Sequence, residues 1–325
     1  MKRKSVLLKM DDNFLQKYSV FFLLLIIVII NCIVTRNFLS IDTLWNALVQ
    51  CTTGMLLALG MMLVIATGGI DISVGANVAM ASVIFVLGLD KGLGFFSIIV
   101  AIVCSSLVGG IIGFLIAKFQ IQPLIVTLGF MTILRGIAQG LTDCELVSLR
   151  DPDLKILAYY RIGGVVPIQT VVIVVAIVVF AFFVKKTKYG MFIESYGDNF
   201  KATALAGVRT FPLLLLVYFV LGLVSGFGGV IETLRICAAD PSNIGLDMEM
   251  DAIAAVAIGG TSMSGGKMSI SGTVAGVFLL QIITMMVNMN NVPYQVALLM
   301  KACIIIFSVL IQNVHLKRRK GKRML

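Results

Sequence analysis

The stretch that decides the fold is CTTGMLLALGMMLVIATGGIDISVGANVAMASVIFVLGLD, residues 51–90. As one continuous α-helix it would extend roughly 60 Å at about 1.5 Å per residue, twice the hydrocarbon thickness of a bilayer. The chain must therefore break within this stretch. Gly68 and Gly69 are suited to end one helix, and Asp71 or Ser73 to cap the next. We predict two apolar helices joined by a tight turn.

The glycine pattern of this turn occurs a second time. Residues 68–75 and residues 259–266 share the pattern G-G-x-x-x-S-x-G, and each copy lies between two apolar runs. Matched glycine-interrupted segments in the two halves of a transporter mark the translocation path. Two tight helical turns without a further role would give the same pattern, so both interpretations stay open here. The predicted path or gate residues are Gly68, Gly69, Asp71, Ser73, Gly75, Gly259, Gly260, Ser264 and Gly266.

The composition indicates a membrane protein. Hydrophobic residues make up 59% of the 325 residues and charged residues 13%, whereas a soluble domain has about 25% charged residues. Lipid permits helices or closed barrels, and the apolar runs are too long and unalternating for barrel strands. We predict an all-α, polytopic helical bundle of about ten transmembrane helices, near residues 18–34, 51–68, 72–89, 96–117, 121–141, 167–184, 211–231, 249–262, 270–289 and 294–314.

The distribution of basic residues predicts the orientation. If both termini are cytoplasmic, 18 of the 26 Lys and Arg residues lie inside and six outside, in agreement with the positive-inside rule. The predicted domains are a basic N-terminal segment at 1–17, a transmembrane domain at 18–314 and a basic cytoplasmic tail at 315–325. The longest inside loop, at about 185–210, contains a helical stretch that ends at Gly207.

Several charged residues are expected to have specific partners. A carboxylate such as Asp71, close to hydrocarbon, needs a partner or a water-filled cavity. Arg135 and Lys301 lie within spans, where they face a cavity, a carboxylate or a carbonyl, or else snorkel to the interface. Glu232 and Arg235 are three residues apart and are predicted to pair on one helical face.

Several absences exclude other classes of protein. Near Gly266-Lys267, a P-loop would need glycine at Thr261 and a hydroxyl residue at Met268, so we expect no ATP binding by that route. One histidine and six cysteines without a C-x-x-C pair predict no metal centre, and no catalytic constellation is present.

Two features of the outer loops stay open in the sequence. A disulfide between Cys144 and Cys237 is one of them. The acidic outer loops would suit an external partner, or only keep the loops soluble.

Three groups of residues carry a resemblance to a known family. They are Thr67 to Gly75, then Gly197-Asp198-Asn199 with Ala202, Ala204 and Gly207, and finally Ala252 to Lys267. Together they resemble the ribose-type, or branched-chain-type, permeases of bacterial ABC importers, over about residues 40–312. The first group is similar to the family signature G-G-I-D-L-S-V-G, with Ile72 in place of leucine. The second is similar to the loop that docks onto the ATPase.

The resemblance implies a function, partners and a location. It implies a permease in the bacterial plasma (inner) membrane that forms a dimer with a second copy or a paralogue, contacts two cytoplasmic ATPases and receives a simple sugar from an external binding protein. ATP would be used by the partner subunit, and the chain itself would be neither an enzyme nor the binder of a cofactor. The implied ATPase-coupling residues are Glu194, Gly197, Asn199, Ala202, Ala204 and Gly207. An ion-coupled secondary transporter of a small polar solute is the alternative, although Asp71 is nearly alone as a charged group at that depth.

Overall fold

A computed structural model describes residues 20–306. The helices are α1 (Val20–Val34), α2 (Ile41–Ala66), α3 (Val74–Asp90), α4 (Phe96–Phe119), α5 (Pro123–Gly140), α6 (Pro152–Ala158), α7 (Ile168–Lys186), α8 (Lys188–Asp198), α9 (Phe200–Leu205), α10 (Thr210–Ile236), α11 (Met248–Ile258), α12 (Ile270–Met289) and α13 (Tyr294–Ile306). Four two-residue strands lie in loops: β1 (Val147–Ser148), β2 (Arg161–Ile162), β3 (Val166–Pro167) and β4 (Ala238–Ala239).

Six of the described helices, α2, α4, α5, α7, α10 and α12, are long and apolar enough to cross a membrane. The all-α membrane class predicted from composition is therefore confirmed. Two span boundaries are wrong. Helix α2 begins at Ile41 instead of near residue 51, because polar residues at its start are tolerated at a helix end. Helix α11 has 11 residues, or about 16 Å, so the predicted span at 249–262 is too short to cross about 30 Å of hydrocarbon alone. The segments 1–17 and 315–325 lie outside the described residues.

Helix α2 lies at the centre of the bundle, and its second half, from Met55 to Ala66, is buried throughout. Glycines permit the closest helix contacts around it. A Cβ atom on Gly109 of α4 would lie 3.0 Å from the Cα of Gly222 in α10. A Cβ atom on Gly276 of α12 would overlap the carbonyl oxygen of Ala255 in α11. Glycine leaves room for this close approach of two helix backbones, as small residues do at helix contacts in membranes.

The loops that connect the helices form a small ordered layer at one end of the bundle, which we call the hairpin end (residues 141–167 and 237–247). Strands β1 and β4 pair antiparallel, and β2 pairs with β3. The Arg135 guanidinium donates to the carbonyl oxygens of Pro241 and Ile244, each at 2.8 Å. Of the alternatives that the sequence left open for Arg135, the structure shows carbonyl partners. Cys144 and Cys237 are both free thiols.

Two ion pairs fix charged residues of the described helices. Glu232 accepts from Arg235 within α10, as its spacing predicts, and also from the Thr53 hydroxyl of α2 at 3.0 Å. The Lys301 ammonium is buried and lies 2.7 Å from the Asp251 carboxylate. Among the alternatives predicted for Lys301, the structure therefore shows a carboxylate partner. The Thr53–Glu232 hydrogen bond joins α10 to α2, and the Lys301–Asp251 ion pair joins α13 to α11.

Candidate functional site

The first glycine turn connects α2 to α3 in the way that its residues predict. Gly68 has φ +82°, a left-handed conformation that glycine adopts without strain. The Asp71 carboxylate is buried and accepts from the Ser73 backbone N–H at 2.8 Å and from the Ser73 hydroxyl at 2.6 Å. Ser73 is the N-cap residue of α3. Ser73 therefore lies where a cap was predicted, but its side chain makes no capping hydrogen bond, and the Asp71 carboxylate closes the turn at Ser73 instead of capping α3.

The second glycine turn connects α11 to α12. Gly260 has φ +83°, like Gly68 in the first turn. A Cβ atom on Gly259 would lie 2.5 Å from the backbone nitrogen of Thr273, so α12 packs directly against this position. The hydroxyl groups of Ser262 and Ser264 are 3.1 Å apart and exposed. Both turns therefore use glycine for a left-handed residue and for close helix packing.

The reason for glycine at position 69 differs from the expected one. Gly68 and Gly69 were both predicted to end a helix, but within the first turn the positive φ belongs to Gly68. At Gly69 the constraint is a neighbouring side chain, because a Cβ atom there would lie 2.5 Å from the Tyr218 hydroxyl of α10. The sequence pattern predicted the turn correctly. The second glycine of that turn, Gly69, is required because no larger residue fits beside Tyr218 of α10.

The two turns and α8 meet at the end of the bundle opposite the hairpin end. The Gly266 N–H donates to the Ala66 carbonyl at 3.0 Å, which joins the second turn to the last residue of α2. A Cβ atom on Gly197 of α8 would overlap that carbonyl oxygen and would lie 2.5 Å from the Gly266 nitrogen. The Glu194 carboxylate accepts from the Met268 N–H at 2.9 Å. We call these five residues the junction.

The predicted coupling residues divide into two groups. Glu194 and Gly197 face inward and belong to the junction. Asn199, Ala202, Ala204 and Gly207 are exposed. Asn199 caps α9 by accepting from the Ala202 N–H at 3.0 Å, and α9 ends before Gly207, which has φ +84°. The helical stretch predicted within this loop is confirmed. Its exposed surface and its buried contacts therefore lie on different residues.

Leu205 is a residue that the sequence interpretation missed. Its side chain is 89% exposed at the end of α9, although leucine is usually buried. An apolar residue next to the predicted coupling positions was the available sequence signal. Tyr218 was also missed, and no sequence signal marks it, because it lies within the apolar run of α10.

The surface around the junction is basic. Six exposed cations surround α8, α9 and the second turn: Lys185, Lys186, Lys188, Lys201, Arg209 and Lys267. Tyr196 of α8 is partly buried, and this burial raises the pKa of its phenol above the ordinary value. Tyr196 therefore stays protonated and neutral near pH 7.

Gly75 is the second residue of α3 and lies against the second half of the chain. A Cβ atom there would overlap both the carbonyl oxygen of Gly245 and the carboxylate of Glu249. The segment 237–247 therefore reaches inward from the hairpin end to the start of α3. Of the predicted gate residues, Gly75 links the first half of the chain to α11, while the two turns meet at the junction.

Replacing Asp71 with asparagine tests whether its charge matters beyond its hydrogen bonds to Ser73. Asparagine keeps an oxygen that can accept from the Ser73 N–H and hydroxyl, so the turn before α3 is retained. Its amide adds two donors in a buried site, and an unpaired buried donor costs about 1–3 kcal/mol. We expect normally inserted protein with uptake reduced about tenfold, measured in vesicles at matched expression. Wild-type uptake by this variant would limit Asp71 to holding the turn at Ser73.

Comparisons with known proteins show which family the chain resembles. The family model described as "Branched-chain amino acid transport system / permease component" matches residues 43–309. The chain is 32% identical to the ribose import permease protein of Escherichia coli over 304 residues, which cover 92% of this chain and 94% of that protein. It is 34% identical to the ribose import permease protein of Bacillus subtilis over 309 residues, with 93% and 94% covered.

A further relative is named for a sugar other than ribose, and no solved structure is similar to this chain. The galactofuranose transporter permease protein of Escherichia coli is 34% identical over 261 residues, which cover 79% of this chain and 76% of that protein. No solved structure matches at a significant level. The family match and the near full-length relatives agree with the helical membrane fold. The chain is a multi-pass membrane protein that belongs to the permease component family of branched-chain amino acid transport systems.

Proposed function

We propose that this chain is the membrane-spanning permease subunit of an ABC importer and that it translocates a simple sugar, a pentose or a hexose, delivered by an external binding protein. The observation that carries the proposal is the junction, because it connects both glycine turns to α8 in one contact. A permease needs such a connection between a gate and a cytoplasmic motor. The names of the relatives, which include ribose and galactofuranose import, favour sugars as the cargo class.

The ATPase partner would bind to the exposed side of α8 and α9. Ala202, Ala204 and Leu205 offer an apolar surface there, and exposed cations surround it. Exposed apolar residues with a polar rim are typical of a protein interface. ATP would be bound and hydrolysed by that partner, and this chain would act without a cofactor.

The proposed topology follows from the charge distribution and the fold. The six cations around the junction suit a cytoplasmic surface, so the hairpin end would face outward and receive the binding protein. Both termini would be cytoplasmic, with about ten membrane segments between residues 18 and 314 and a coupling loop at about 185–210. The location would be the bacterial plasma membrane, and the permease would work as a dimer with a second copy or a paralogue.

The proposal is tested by reconstituting the chain in proteoliposomes with its ATPase and its external binding protein. We expect uptake of labelled D-ribose, D-galactose or D-fructose that requires ATP and the binding protein and persists when ionophores remove ion gradients. Uptake that needs an ion gradient and no ATP would contradict the proposal and favour a secondary transporter.

Replacing Gly207 with proline tests the docking surface. Proline cannot adopt the φ of +84° at this position and cannot make the hydrogen bond from this N–H to the Ala204 carbonyl. The end of α9 should therefore unwind. We expect the ATPase that co-purifies with the permease to fall about tenfold, with membrane insertion unchanged.

Gly92→Pro is the matched control for this variant. Gly92 has φ +79°, and its N–H donates to the Leu89 carbonyl in the same local pattern, but it lies at the opposite end of the bundle. It should retain the ATPase. Normal ATPase retention and uptake by Gly207→Pro would show that α9 does not dock the partner.

A further inference from the structure

A cavity of about 340 Å³ opens beside the first glycine turn. Its walls come from the end of α2, the α4–α5 connection, α8, α9 and the first half of α10. Cavities of this size are within the range that holds a small organic ligand. The cavity lies close to the junction, because Gly68 contributes to its wall and Tyr196 of α8 does as well.

The chemistry of the wall selects a class of ligand. None of its lining residues, all of which lie in the described part of the chain, has a carboxylate or a basic side chain. Amide and hydroxyl groups come from Gln120, Gln122 and Thr210, and aromatic rings come from Tyr196, Phe200, Phe211 and Tyr218. A phosphate or carboxylate ligand would find no cation in this wall. A neutral molecule with several hydroxyl groups would find hydrogen-bonding groups and apolar ring faces.

Tyr218 gives the strongest indication of a missing ligand. Its side chain is fully buried, and its hydroxyl has no hydrogen-bond partner among residues 20–306. The hydroxyl lies 2.5 Å from the Cβ position of Gly69, and both residues line the cavity. Buried polar groups in proteins are nearly always hydrogen-bonded, because an unmade bond costs free energy. A ligand hydroxyl in the cavity would supply the partner that the protein does not.

We propose that this cavity binds a neutral monosaccharide, with the Tyr218 hydroxyl as its buried hydrogen-bond partner and Gln120 and Gln122 at its opening. The inference rests on the proposed function and adds a sugar site within one protomer on the release side. Because Tyr196 of α8 forms part of the wall, a bound sugar contacts the same helix that takes part in the junction. Movement of α8 therefore changes the shape of the site, which lets the ATPase control release.

The test uses the full-length permease in lipid nanodiscs with D-ribose, D-galactose and D-fructose as probes. Saturation-transfer NMR measures binding of each sugar, and the charged sugar acid D-gluconate serves as the comparison ligand. We expect a signal from at least one neutral sugar and none from gluconate. Tyr218→Phe removes only the unpartnered hydroxyl and should reduce the sugar signal about fivefold or more. Gln122→Leu, at the exposed rim, should also weaken it.

Stability separates a ligand role from a structural one. Removal of an unpartnered buried hydroxyl leaves the apo protein with a melting temperature equal to or above that of the wild type, whereas a hydroxyl needed for the fold would lower it. Tyr160→Phe, at an exposed tyrosine of the hairpin end, is the control and should change neither signal nor stability. An unchanged sugar signal in Tyr218→Phe overturns the site, whatever its stability.

The outcomes distinguish the site from the proposed function. ATP-dependent uptake of a sugar that gives no NMR signal with the wild-type permease overturns the site and leaves the importer function intact. A second outcome is that none of the three sugars is taken up, while the wild-type permease gives a sugar NMR signal that Tyr218→Phe abolishes. This outcome contradicts sugar import and supports the site. An equally strong gluconate signal that persists in Tyr218→Phe overturns the assignment of a neutral ligand.

Discussion

Replacing Gly197 with alanine is expected to reduce uptake about tenfold or more while the ATPase remains bound. Within α8 alone, alanine is a better helix former than glycine by about 1 kcal/mol. The fold reverses this gain, because the added Cβ atom would overlap the Ala66 carbonyl oxygen and lie 2.5 Å from the Gly266 nitrogen. Both neighbours are backbone atoms of other elements. Overpacking costs about 1–3 kcal/mol, so α8 should move away from the two turns.

The measurement combines uptake in proteoliposomes with the amount of ATPase that co-purifies. The exposed side of α9 is untouched by Gly197→Ala, so docking should survive while the connection to the turns is lost. Gly136→Ala in α5 is the matched control, since apart from its chain neighbours and its own helix backbone no atom of the described residues lies within 4 Å of its Cβ position. It has the same gain in helix propensity and should transport normally. Normal uptake by Gly197→Ala would exclude the junction from coupling.

The second large effect is expected for Gly75→Ala. Its Cβ atom would overlap the Gly245 carbonyl oxygen and the Glu249 carboxylate, which lie on the segment before α11 and on α11 itself. The start of α3 and this segment would have to separate, which removes buried contacts as well as adding strain. We expect a loss of stability of about 2–3 kcal/mol, at the upper end of overpacking effects, and near-complete loss of uptake.

Thermal unfolding of the purified permease in detergent measures this loss, and uptake is measured in parallel. Gly129→Ala in α5 is the control, because its Cβ position is also free of neighbours within 4 Å among the described residues. A melting temperature and an uptake rate equal to those of the wild type would show that α3 and residues 237–247 are not closely packed in the membrane.

Gly207→Pro and Gly197→Ala should fail in different ways, and the difference follows from the geometry. Gly207 follows the exposed end of α9, whereas Gly197 lies in the buried contact between α8 and the last residue of α2. The first variant should lose the ATPase. Gly197→Ala should keep the ATPase, but movements of α8 should no longer reach the two glycine turns. If both variants behave alike, docking and transmission depend on one surface.

The amino-acid sequence by itself determined the features that depend on short stretches of chain. Mean hydropathy and run length predicted the helical membrane class, because lipid leaves few alternatives to a helix. The glycine pair and the short polar residues after it predicted the break before α3, since left-handed backbone and capping are local properties. The pairing of Glu232 with Arg235 followed from spacing on one helix turn.

The tertiary structure alone decided which of these features meet. Ala66, Gly197 and Gly266 are far apart in the chain and touch because three elements end at the same place. The contact of Gly69 with Tyr218 and the shortness of α11 are equally invisible in hydropathy. The physical reason is the range of the interactions. Hydropathy, helix propensity and capping act over a few residues, whereas close packing depends on where distant backbones are brought together.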